Sequence, residues 1–159
     1  MATTLSSSTM TVRVVESIKL NGTEQGAINT NTFSGINEIS KRILTITTAE
    51  SVIATFSAAV ASAGHYVAAN VRYMRFTNKD DTNFITLTFR NQDNDEVAIK
   101  VDAGQSFVLN GDNANGMTAI FNATQDADAA SDTAFGSLTN IQADANTGSC
   151  DLEMVVASI

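Results

Sequence analysis

The side chains able to do chemistry are few in this sequence, and their spacing argues against most reactions. One histidine, His65, sits between Gly64 and Tyr66, and the single cysteine, Cys150, lies 85 positions further on. Nucleophilic catalysis needs a base beside the nucleophile, and zinc needs several nitrogen or sulfur ligands at characteristic spacing. One residue of each kind meets neither need, so His65 reads as a loop or interface residue and Cys150 as a small strand residue. Asp151 and Glu153 near Cys150 raise a thiol pKa rather than lower it, which disfavours a reactive thiolate. A lone cysteine also forms no internal disulfide, in keeping with assembly in a reducing cytoplasm.

Oxygen ligands are more plentiful: Asp80-Asp81, Asp93-Asn94-Asp95-Glu96, Asp112-Asn113, and Asp126 with Asp128 and Asp132. None has the alternate-position spacing before a glycine that an EF-hand requires, and Asp93-Asn94-Asp95 is more simply a hairpin turn. Paired carboxylates would suit a glycosidase only across a cleft lined with aromatic rings. The chain has no tryptophan, and besides Tyr66 and Tyr73 its aromatics are phenylalanines, most of them at strand positions. Gly22, Gly26 and Gly35 are too scattered to cradle a phosphate and lack the following lysine and helix. Asn21-Gly22-Thr23 and Asn122-Ala123-Thr124 match the glycosylation pattern but read as turns. The expectation is a protein that is not an enzyme, with no catalytic residue, no metal and no cofactor.

The charge distribution narrows the partners. Nine basic against 17 acidic residues give −8, and from Gly111 onward there are seven acidic residues and no basic one. That final third would repel a polyanion, so nucleic acid is not expected as a partner. No apolar run is long enough for a membrane span: Val52 to Ala63 is alanine-rich and interrupted by serine and threonine. The segment Met1 to Thr9 is rich in serine and threonine, without the charge and apolar core of a targeting signal, and reads as an arm.

The elements that position these residues read as strands. Val71 to Thr77, Phe84 to Asn91, Glu96 to Val101 and Ser106 to Asn110 form four short runs cut by turn residues, read as an antiparallel meander. Ile85, Leu87 and Phe89 alternate with Thr86, Thr88 and Arg90, which makes one face apolar and the other wet. Thr11 to Leu20 reads as a long first strand ended by Asn21-Gly22, with Thr23 to Gly35 as loop or irregular edge. Ile36 to Thr47, Ser51 to Phe56 and Met117 to Asn122 read as strands, and Ala58 to Ala69 as loop with one short helical turn. Thr124 to Gly136 is a long acidic loop, and Cys150 to Val156 closes the chain with Leu152, Met154 and Val156 inward. A chain of 159 residues suits one core. The expectation is an all-β fold: a single antiparallel β-sandwich or jelly roll of about eight strands over 11–159, preceded by an N-terminal arm over 1–10. Proline is absent, so edge strands must be guarded by charge, as at Arg13, Lys19 and Lys100, or paired with another subunit.

From Tyr73 through Arg75-Phe76-Thr77-Asn78, Asp80-Asp81-Thr82-Asn83 and Phe84 to Leu87, and again from Ile99 through Ala103-Gly104 to Leu109, the chain resembles small β-sandwich virion proteins of tailed bacteriophages. The pattern is a strand ending Arg-Phe-x-Asn, an Asp-x-Thr-Asn turn, a threonine-rich strand and an Ala-Gly corner before a last apolar strand. It covers about a quarter of the chain; Val12 to Glu16 and Leu20 to Thr23 are similar more weakly. The resemblance implies a virion component assembled in the host cytoplasm, of the head decoration or cement type. Its partners would be copies of itself, with a trimer favoured, and the major capsid protein or other virion proteins, without membrane or nucleic acid. A tail tube, head-tail adaptor or fibre or spike domain is the alternative, expected as a ring or spike. A cellular carbohydrate-binding β-sandwich is the second, expected as a sugar-binding monomer.

Overall fold

The computed structural model describes residues 6–118, 120–121 and 135–159, and these form an all-β fold. It begins with a long hairpin of four segments: β1 (Ser8–Val15), β2 (Lys19–Leu20), β3 (Thr23–Glu24) and β4 (Ile28–Ile36). β1 pairs antiparallel with β4, and β2 with β3. The turn between them is made by Asn21 and Gly22 at φ 50° and 81°, the conformation for which that dipeptide is suited.

The body follows as β5 (Glu38–Ile46), β6 (Ser51–Phe56), β7 (His65–Tyr66), β8 (Val71–Asn78), β9 (Ile85–Asn91), β10 (Glu96–Val101), β11 (Ser106–Asn110), β12 (Leu138–Ala145) and β13 (Cys150–Ser158). One sheet runs β11-β8-β13-β5 and the other β10-β9-β12-β6-β7, where the two-residue β7 adds parallel to β6. Leaving β7 aside, the eight body strands taken in chain order run 6-3-8-1 in the first sheet and 5-4-7-2 in the second. That order is a jelly roll, two Greek keys folded face to face.

The core between the sheets is made by alternate residues of both. Met74, Phe76, Leu152, Met154 and Ile46 face Ile85, Leu87, Phe89 and Ile141, and all are buried. Phe76 and Phe89 meet edge-on across the sandwich, with ring centroids 6.4 Å apart. Leu152, Met154 and Val156 point inward, as the alternation of the last strand requires.

Four readings of the sequence are corrected. Of the expected four-strand meander only the β9–β10 hairpin is formed: β8 pairs with β11 and β13 while β9 pairs with β10 and β12, so the chain crosses between sheets after β8 and again after β10. The segment Thr23 to Gly35 is mostly strand rather than loop, since the hairpin pairs it with β1. Thr11 to Leu20 is broken after Val15 instead of continuous. The one short helical turn expected in Ala58 to Ala69 is present as a 3-10 turn at Ala68–Asn70, and the short strand β7 also falls within that stretch. Met117, Thr118, Ile120 and Phe121 lie in turns, not a strand; the Met117 amide is held by the Ala68 carbonyl instead of a ladder. Apart from Phe135 and Gly136, the acidic loop Thr124 to Gly136 lies outside the described residues.

Candidate functional site

The described residues that could do chemistry lie on separate elements of this fold. Cys150 is buried at the start of β13, where desolvation and then the Asp80 and Asp151 carboxylates push its thiol pKa up. His65 lies on β7, beside Tyr66, whose hydroxyl donates to Ser40 Oγ at 3.3 Å. Among the described residues no three His, Cys, Asp or Glu side chains gather as metal ligands.

The acidic clusters turn out to be turn locks. Asp80 Oδ1 accepts the amides of Thr82 and Asn83 at 2.8 and 2.6 Å, and these bonds hold its carboxyl below the ordinary range. Asn91 Oδ1 accepts the amides of Asp93 and Asp95 at 2.9 and 2.8 Å, and Asn94 takes φ 68° to close the β9–β10 turn. Asp112 accepts the Ala114 amide at 2.7 Å, with the same downward effect on its carboxyl. Glu96 is paired with Arg90 across that hairpin. Asp126, Asp128, Asp132 and the second glycosylation pattern lie outside the described residues, while the first forms the hairpin tip.

The two outer faces of the sandwich differ. On the β9–β12 sheet the outward positions are Thr86, Thr88 and Arg90, opposed by Asp144, Gln142 and Asn140, so this face is hydrophilic. On the β8–β13 sheet one end carries Tyr73 and Ala157, which are buried beneath Met10, Val12, Phe33 and Ile36 of the hairpin. Further along the same face Glu153 is gripped by Lys41 at 2.9 Å and Arg75 at 2.5 Å, and these two hydrogen bonds pull its carboxyl down to about 2. Beside this triad Ile39 and Ile43 on the free edge strand β5 stand exposed.

Beyond Val12 and Phe33 the hairpin leaves the body. Every residue from Arg13 to Thr32 is exposed except Gly26. Val14, Val15, Ile18, Leu20 and Ile28 are each between 56% and 69% exposed, and they are five of the twelve large apolar side chains left open to water among the described residues. At about 3.3 Å per residue, Arg13 to Leu20 reaches roughly 25 Å past the anchored base. The overhang is a built element: Glu16 donates to the Ala27 carbonyl at 2.8 Å, and Glu24 Oε1 accepts the amides of Ile18 and Gly26 at 3.2 and 3.0 Å across its neck. An open groove runs beneath it, lined by Val12, Val14, Asn29, Asn31 and Asn110. Exposed large apolar side chains gathered on one projection make it the candidate interaction surface. The adjacent pair Val14-Val15, which puts apolar side chains on both faces of one ribbon, was the signal in the sequence.

No family model matches this chain, and no curated protein or solved structure is significantly similar to it. No helix among the described residues is long and apolar enough to cross a membrane.

Proposed function

We propose that this chain is a structural subunit of a bacteriophage virion, a decoration or cement protein that binds the outside of the head shell and stabilises it through subunit contacts. The observation that carries the reading is the apolar overhang from Arg13 to Thr32, which the described residues of its own body leave uncovered. The resemblance at Tyr73 to Leu87 and Ile99 to Leu109 supports it, and the jelly roll is an architecture that capsid domains use, as do lectins. The acidic final third favours a position away from packaged DNA.

The mechanism is adhesion. Each bound copy buries apolar and main-chain edge surface and shifts the balance toward the intact shell by mass action, without turnover. Particles stripped of the protein are expected to open at lower temperature than intact ones and at low salt that intact ones survive, and to recover when it is added back. Equal resistance of stripped and intact particles would refute cementing. A tail tube or adaptor would use the same overhang, and six- or twelve-fold rings of the purified chain would favour it.

A further inference from the structure

We infer that the overhang seats on a second copy of this chain, along the free edge of β5 and the uncovered part of the outer face beside it; this rests on reading the chain as an assembling subunit. The recipient surface is specified by three features. β5 is a nine-residue strand that among the described residues pairs only with β13, and it contains no proline, so its other edge offers main-chain groups to a further strand. Ile39 and Ile43, both more than half exposed, project from that edge on the outer face. The same face already receives the base of the same hairpin, where Met10, Val12, Phe33 and Ile36 cover Tyr73 and Ala157, so hairpin and face have complementary chemistry within one molecule.

Size and charge agree with a second copy. A stable interface takes about 20–30 residues a side; Arg13 to Thr32 supplies 20, all but Gly26 exposed. The overhang carries Arg13 and Lys19 against Glu16 and Glu24, so it is neutral in a chain of −8. On the outer face of β5 the one charged side chain, Lys41, is already paired with Glu153 at 2.9 Å, so this face adds little charge of its own. Overhang and β5 edge are different surfaces, so the contact is head-to-tail and each copy both gives and receives. Closure of such a chain of contacts yields a ring.

The test is native mass spectrometry and sedimentation equilibrium of the full chain, with two variants. Ile18→Asp with Leu20→Asp disables the overhang, and Ile43→Asp disables the recipient. All three positions are more than half exposed, so thermal melting of the body should be unchanged; serine replacements serve if an aspartate variant fails to fold. The natural chain is expected to form oligomers. Each variant alone is expected to be monomeric, with its dissociation constant raised at least ~30-fold. Mixed one to one, the two variants are expected to form a heterodimer and nothing larger, because only one working junction remains. A monomeric natural chain, an oligomer that survives both variants, or a mixture that stays monomeric would overturn the inference. Shell binding by a chain that stays monomeric would overturn it while leaving the cement reading in place.

Discussion

Phe33, on the hairpin, packs against Tyr73, on the outer face of the β8–β13 sheet, with ring centroids 6.2 Å apart. Both rings are buried, and with Ile36 and Ala157 they form a small core separate from the one between the sheets. This second core fastens the hairpin to the body. Phe33→Ala should cost about 3 kcal/mol in urea unfolding through the cavity it leaves. Trypsin should also cut faster after Arg13 and Lys19 while the body stays intact; equal cleavage of both proteins would show that the contact does not hold the hairpin.

Asn78, at the end of β8, ties the two sheets together. Its Nδ2 donates to the carbonyls of Asn83 and Val101 at 2.8 and 3.1 Å, its Oδ1 accepts the Asp80 amide at 3.0 Å, and its own amide donates to Gln105 at 3.0 Å. The residue is fully buried, so Asn78→Ala strands those carbonyls and should cost about 2–3 kcal/mol in guanidinium unfolding. Asn78→Asp, which turns a carboxylate toward two carbonyls, should cost more.

The Glu153 carboxyl sits at about 2 against an ordinary 4.5 because Lys41 and Arg75 donate to its charged form. Its folded value lies below its unfolded one, so this contribution is complete above about pH 4.5 and is lost as pH falls toward 2. Asp80 and Asp112 shift in the same direction through backbone amides. Unfolding midpoints measured across the acid range should therefore fall less steeply for Glu153→Gln than for the natural chain, with the remaining slope reduced further by Asp80→Asn. An unchanged slope in Glu153→Gln would mean the triad contributes nothing.

Gly26 has no room for a side chain, since a β-carbon there would meet the Glu16 carbonyl oxygen at 2.1 Å. Gly26→Ala should spread the hairpin neck without touching the sandwich core. The expected outcome is a body that melts within a few degrees of the natural chain and assembly weakened at least ~10-fold. Loss of the body's cooperative melting would show that the hairpin is integral to folding.

Much of the fold could be read from alternation, and the parts that could not have physical reasons. Ile85, Leu87 and Phe89, and Leu152, Met154 and Val156, declared their inward faces because large apolar side chains recur at period two. Strand partners were not legible: Gln92 to Asp95 makes a hairpin, while Asp102 to Gln105, of the same length, crosses between sheets. β12 gave no signal because Asn140, Gln142, Ala143, Asp144 and Ala145 are residue types depleted in strands, and it is the flanking strands β9 and β6 that hold them there. β4 was hidden by Asn29 and Asn31, which are depleted in strands, and by Thr30 and Thr32 between them, which leave no apolar face to alternate; the β1 ladder holds all four extended. The candidate surface was half visible: Val14 and Val15 were plain, but that they face water depends on where Phe33 anchors the hairpin.

The most direct measurement is an electron cryomicroscopy reconstruction of particles that carry this chain. The account predicts jelly rolls on the outer surface of the head shell, each with its Arg13 to Thr32 hairpin lying against a neighbouring subunit. Density inside the shell, or hairpins that touch no neighbour, would contradict it.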